Sequence, residues 1–232
     1  MVMRLLGVLG GMSWASTQTY YRLLNEGVAA ELAGLHSARL LIHSVDFAPV
    51  AQAQHDGDWA ATARILAEAA KGLAAAGAEA LLLATNTMHK VSREIEEAAG
   101  IPLLHIADAT AATALAAGHH RVGLLATAFT MEEDFYVGRL REHGLEVVIP
   151  DADDRVEVHR IIYDELCHDI VRTESRTVYA GVVDRLAADG AEAVILGCTE
   201  IGLLIGDDDV ALPTIDTTQV HARAGVDFLL DR

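Results

Sequence analysis

Short unbroken apolar runs alternate along the chain with longer stretches whose apolar positions recur every three or four residues. The runs at residues 4–9, 39–43, 80–84, 103–106, 122–126, 146–149, 193–196 and 213–216 are rich in Val, Ile and Leu. They are too short for helices and lack polar alternation, the pattern of strands buried on both faces of a sheet. Between them, residues 16–32 carry Tyr20, Leu23, Leu24 and Val28 at helical spacing, and residues 60–76 form an Ala/Leu-rich helical stretch stopped by Gly77. Further helices are predicted over 91–99, 132–143, 155–171, 175–189 and 219–230, with 46–58 as a loop. Strands alternating with helices predict an α/β protein whose parallel sheets are covered on both faces.

The rhythm restarts halfway. Gly77-Ala78-Glu79-Ala80 and the apolar run after it return at Gly190-Ala191-Glu192-Ala193, an offset of 113. Residues 4–10 resemble 121–127 at an offset of 117, and residues 102–106 echo 213–215 at 111. Three anchors at nearly constant spacing point to an internal duplication, with one domain over 1–115 plus 216–232 and a second over 116–215. In such sheets ligands bind beyond the carboxyl ends of the strands. Two duplicated halves facing each other would gather the segments after matched strands around one cleft.

Charge narrows the partners. The 232 residues hold 17 Lys+Arg against 34 Asp+Glu, a formal charge of −17. That field repels phosphate, which excludes nucleic acid and anionic membrane as partners. Apolar residues at 52% suffice for a sizeable core and exclude a disordered chain. Two cysteines, Cys167 and Cys198, cannot build a disulfide framework. Residues 1–11 are apolar too briefly for a signal peptide, and no membrane span is predicted, so a soluble cytoplasmic protein is expected. No metal-ligand spacing, no P-loop and no G-x-G-x-x-G stand in the chain.

In the repeat register Thr85 and Cys198 are equivalent, each ending an apolar strand. A cysteine beside a helix N-terminus is expected to ionise more easily than a free thiol. The flanking Gly197, Thr199 and Glu200 are turn residues, which favours a functional role for Cys198, whereas Cys167 is expected mid-helix as a small apolar filler.

Gly10-Gly11-Met12-Ser13-Trp14, Thr85-Asn86-Thr87-Met88-His89-Lys90 and Gly197-Cys198-Thr199-Glu200-Ile201-Gly202-Leu203 resemble the aspartate/glutamate racemase superfamily, nearest to its L-aspartate/glutamate-specific, broad-specificity amino-acid racemase branch. The resemblance runs over residues 3–229. It implies cofactor-independent racemisation of a small amino-acid substrate by two pseudo-symmetric Rossmann-like domains. The active site would lie in the cleft between them, usually in a homodimer. Inverting a stereocentre by proton transfer needs a base on one face and an acid on the other. By resemblance Asn86, Thr87 and Thr199, with Thr127 and Thr130, bind the α-carboxylate; the threonines would equally serve as helix N-caps.

One departure stands out. Typical members carry Cys at both catalytic positions, and here the first is Thr85. A hydroxyl donates or relays a proton but is a poor base. Cys198 is therefore expected to take the α-proton of the L-enantiomer, with Thr85 as the opposing donor and a slow reverse reaction. Aspartate racemases tend to place an Arg after the second strand, whereas residues 46–58 hold no Arg or Lys but Gln52, Gln54 and His55. By resemblance Met12 and Gln54 line the substrate site, although Met12 would equally fill a core. Glu165 follows Ile161 by four residues on one helical face; it either holds the substrate ammonium or is a solvated Glu at the edge of an apolar stripe. His89 and Lys90 either bring positive charge to the cleft or favour their local helix, and Glu200 replaces the His of glutamate racemases. The alternatives are an arylmalonate-decarboxylase-like enzyme using Cys198 only, and a non-catalytic amino-acid-binding protein.

Overall fold

A computed structural model of the protein describes residues 3–168 and 170–232; residues 1, 2 and 169 lie outside the described residues, the last within the predicted 155–171 helix. The chain divides into two compact units, Met1–Ile106 with His221–Arg232, and Ala107–Val220. The first contains β1 (Leu6–Gly10), α1 (Trp14–Leu32), β2 (Leu40–Ser44), α2 (Phe47–His55), α3 (Trp59–Ala75), β3 (Ala80–Leu83), α4 (Ser92–Ala99) and β4 (Leu103–Leu104). Helix α5 (Ile106–Ala116) leads into the second, which holds β5 (Arg121–Leu125), α6 (Ala128–Glu132), α7 (Asp134–Glu142), β6 (Glu146–Val148), α8 (Ala152–Asp164), α9 (Thr173–Ala188), β7 (Ala193–Leu196) and β8 (Thr214–Asp216). Helix α10 (Thr217–Leu229) returns the chain to the first unit.

Each unit has one four-stranded parallel sheet, ordered β2-β1-β3-β4 in the first and β6-β5-β7-β8 in the second. The two-residue strand period sorts the first sheet's side chains onto two faces. Leu9, Leu81 and Leu83 pack with Leu66, Ala70 and Leu73 of α3. Leu6, Val8 and Leu82 pack with Tyr20, Leu24 and Val28 of α1 and with Ala222, Val226 and Leu229 of α10. Unbroken apolar runs are what a sheet covered on both faces requires, and β1, β3 and β7 are buried throughout.

Three predicted elements are corrected and one unpredicted helix is added. The expected loop at 46–58 contains α2, with Asp46 capping it through the Ala48 N–H at 3.2 Å. Pro49 disguised it, yet proline is tolerated in a first helical turn, where the N–H has no partner to lose. Helix α5 went unpredicted because its Ala/Thr sequence shows no sided apolar stripe. The predicted 132–143 helix is broken at Glu133, which is extended, into α6 and α7. The predicted 155–171 helix ends at Asp164, with Glu165 as its cap and a 3-10 turn at Leu166–His168.

The acidic runs anchor turns. Asp151 caps α8 through the Asp154 N–H, Asp154 pairs with Arg185 at 2.6 Å, and Asp207 accepts from both the N–H and the hydroxyl of Thr214 at 2.7 Å. Among the described residues no helix is long and apolar enough to cross a membrane.

Candidate active site

The two sheets present matching strand ends. Leu9 of β1 is the register partner of Leu83 in β3, and Leu125 of β5 that of Leu196 in β7. The ladder runs one residue further in each: Ala84 N–H donates to the Leu9 carbonyl at 2.9 Å, and Gly197 N–H to the Leu125 carbonyl at 2.7 Å. The next residues are Thr85 and Cys198. Gly197 is required there by close packing, since a Cβ on it would lie 2.9 Å from the Ala126 Cβ and 3.2 Å from the Leu125 carbonyl oxygen.

In the first unit, Thr85 is half-buried and leads through the buried Asn86 into a 3-10 turn, Thr87–Val91. Of the two readings open for His89, the one that brings positive charge is not supported. The His89 ring is buried, and desolvation first, then the neighbouring His105 and His221, hold it well below the ordinary histidine value. The Lys90 ammonium lies 4.0 Å from the centroid of the Trp59 ring, a cation–π contact. The turn after β1 is tight: Gly11 has φ +96°, its N–H donates to Thr17 Oγ1 at 2.8 Å, and a Cβ would strike the Val45 carbonyl oxygen at 2.3 Å. Met12 is buried in the apolar cluster that contains Leu9, Val50 and Leu83. Gln54 is buried in the last turn of α2.

In the second unit, Thr127 and Thr130 are buried with their hydroxyl oxygens 3.3 Å apart. Thr127 occupies the N-cap position of α6 without a side-chain cap bond. The half-buried Thr199 lies in the turn between Cys198 and Glu200.

Cys198 does not meet the expected environment. Only a one-turn 3-10 helix, Ile201–Leu203, follows it, so no helix dipole of consequence faces the sulfur. Its S–H donates to Glu200 Oε2 at 3.0 Å. Burial first, then the Glu200 charge, push the thiol well above its ordinary value, which corrects the expectation of a lowered one. Cys167 is exposed on the Leu166–His168 turn rather than filling a core, and desolvation by the surrounding chain with the Glu200 charge pushes it up to about 11.

Glu165 is buried, not a solvated residue beside an apolar stripe. It accepts from the Ser175 hydroxyl at 2.5 Å and from Arg160 at 3.0 Å, with Arg172 at 3.9 Å. The Ser175 hydroxyl and these cations hold its carboxyl below the usual range. Two contacts escaped the sequence: Glu200 on Cys198, and His89 on the Thr85 backbone. The spacings of two and four residues were visible, but which way the turns wind was not. Among the described residues no group of three His, Cys, Asp or Glu is placed to hold a metal ion.

The family model for Asp/Glu/Hydantoin racemase matches residues 9–225. The crystal structure of a proposed Asp/Glu racemase from Yersinia pestis is 51% identical, with a TM-score of 0.94 over 98% of this chain and 100% of that one. An aspartate racemase homologue from Pyrococcus horikoshii is 33% identical, with a TM-score of 0.85 over the same shares. The aspartate racemase of Picrophilus torridus, 24% identical with a TM-score of 0.74 over 95% of this chain and 92% of that one, shares the fold.

Proposed function

The chain belongs to the Asp/Glu/Hydantoin racemase family and is a racemase, an isomerase; from that premise we propose that it inverts the α-carbon of L-aspartate or L-glutamate without a cofactor, with Cys198 and Thr85 as the two proton-transferring groups. The observation that carries this proposal is the register: Thr85 and Cys198 stand at the same position beyond equivalent strands of two like sheets. The aspartate and glutamate named for the relatives support the substrate class.

Racemisation by proton transfer needs one group for each face of the α-carbon. Cys198 is the group for the L-face. Its resting thiol is protonated, so it becomes a base only by giving up that proton, and Glu200 Oε2, 3.0 Å away, is the acceptor already in contact. The thiolate then takes the α-proton, the electron pair passes into the substrate carboxylate, and it returns to the α-carbon as the Thr85 hydroxyl gives a proton to the opposite face; proton exchange with solvent then restores the Thr85 hydroxyl and the Glu200 carboxylate. The hydroxyls and amides of Asn86, Thr87, Thr127, Thr130 and Thr199 hold that carboxylate as its charge builds.

The two enantiomers have equal free energy in solution, so kcat/KM is equal in both directions. Microscopic reversibility also makes Thr85 the acceptor when the D-enantiomer reacts. The expectation of a slow reverse reaction is therefore replaced by a narrower one. The difference between thiol and hydroxyl appears in kcat and KM separately, and in which face washes out its α-proton.

Incubation with a panel of L- and D-amino acids, followed by chiral chromatography, tests the reading. Racemisation of aspartate or glutamate that is lost in Cys198→Ala is expected. No racemisation of any amino acid by the wild type would overturn it.

A further inference from the structure

The buried side of the Thr85 strand end is built from imidazoles. The His89 Nδ1 lies 2.8 Å from the Thr85 carbonyl oxygen, and the Ile106 N–H donates to His89 Nε2 at 3.2 Å. Since Nε2 accepts, Nδ1 carries the hydrogen and donates to Thr85. Ile106 is the first residue of α5, at the helix end where backbone N–H groups look outside the helix for an acceptor. The ring also meets His105 edge-on at 4.5 Å and His221 at 5.7 Å. His221 repeats the device next door, with Nε2 2.7 Å from the Leu104 carbonyl oxygen of β4 and Nδ1 2.9 Å from the Tyr20 hydroxyl of α1. Two side chains thus tie the carboxyl ends of β3 and β4 to the starts or faces of the helices around them.

We propose that His89 is a positioning residue: its Nδ1–H fixes the plane of the Thr85–Asn86 peptide and thereby aims the Thr85 hydroxyl and the Asn86 side chain. The inference rests on the proposed role of Thr85 in proton transfer. Two-site binding is what gives the ring this effect. A side chain that held only the Thr85 carbonyl would swing with the turn, whereas His89 is also held by the α5 backbone. A protonated ring would oppose a second N–H to the Ile106 N–H, so only the neutral form fits. Small displacements of a proton donor are costly, since misplacement by about 1 Å can cost on the order of 100-fold.

The test uses three variants in deuterated water. His89→Asn keeps a donor near Nδ1, His89→Gln keeps a group near Nε2 but not the donor to Thr85, and His89→Phe keeps the ring volume without either bond. The readout is the ratio of inversion to α-proton washout with retention, starting from the L-enantiomer. A merely structural defect lowers both in parallel. A mis-aimed Thr85 lowers inversion while washout through Cys198 continues. The ratio is expected to fall about tenfold in His89→Phe and His89→Gln, and to stay within about threefold of wild type in His89→Asn. Should His89→Phe not fold, the Asn and Gln variants decide, and equal ratios in those two would overturn the proposal. A wild type that racemises nothing defeats the functional reading separately. Backbone amide exchange over residues 85–89 then serves: faster exchange in His89→Gln than in His89→Asn supports the positioning role, and equal exchange contradicts it.

Discussion

Beyond β3 the chain ends in a hydroxyl, Thr85, whose backbone is held by a neutral imidazole; beyond β7 it ends in a thiol, Cys198, held by a carboxylate. The backbones leading to these residues are alike in strand order, register and the last ladder bond. What differs is the neighbouring charge. The imidazole on the Thr85 carbonyl, His89, is kept uncharged by burial first and then by the neighbouring His105 and His221. Burial first, then the Glu200 charge, keep the proton on Cys198 in the resting protein. The fold supplies two equivalent places, and the second layer of side chains decides what each can do there.

The sharpest way to break this comparison is to remove the thiol. Cys198→Ala is expected to lower racemisation by about 10² to 10⁴-fold, measured as D-enantiomer formed from L, with the thermal midpoint little changed. A variant retaining most of the activity would deny Cys198 its role. The glycine that lets Cys198 reach its place comes next. Gly197→Ala forces a Cβ against Ala126 and the Leu125 carbonyl and should destabilise the protein by about 1–3 kcal/mol, read by urea denaturation. Its counterpart Ala84 already carries a Cβ, so Ala84→Gly should not stabilise.

Glu200→Gln sharpens the electrostatic half of the contrast. The carboxylate raises the thiol, so a neutral amide lowers it, and the limb of the pH–rate profile set by Cys198 ionisation should move to lower pH. A limb that stays in place would show that Glu200 does not control the thiol. The smallest effect concerns the other strand end. His89 is held below its unfolded value of 6.5, so the unfolded chain binds the extra proton as pH falls, and stability conferred by the neutral ring is lost below that value. Relative to His89→Asn, wild-type stability should decline by at most about 1.4 kcal/mol per pH unit on acidification below 6.5. Parallel curves for the two proteins would place no titration at His89.

Much of this was legible in the residues. Apolar runs of four or five located β1, β3, β5 and β7, because strands covered on both faces leave no polar alternation to confuse them. The Gly77/Gly190 repeat made Thr85 the counterpart of Cys198, and the strand register gives each the same position in its own sheet. Helix α2 was hidden by Pro49, and the end of α8 at Asp164 by Glu165, whose bond to Ser175 depends on another helix, α9. The raised thiol was illegible for a related reason. A Gly-Cys-Thr-Glu string does not say whether the Glu200 carboxylate curls back to the sulfur or a helix N-terminus does.

The central claim, that unlike groups serve the two faces of one α-carbon, is tested most directly by Thr85→Ala in deuterated water with the L-enantiomer. Recovered L-substrate is predicted to gain α-deuterium through the Cys198–Glu200 pair while formation of the D-enantiomer falls by about 100-fold. Inversion at the wild-type rate, or loss of washout together with inversion, would contradict it.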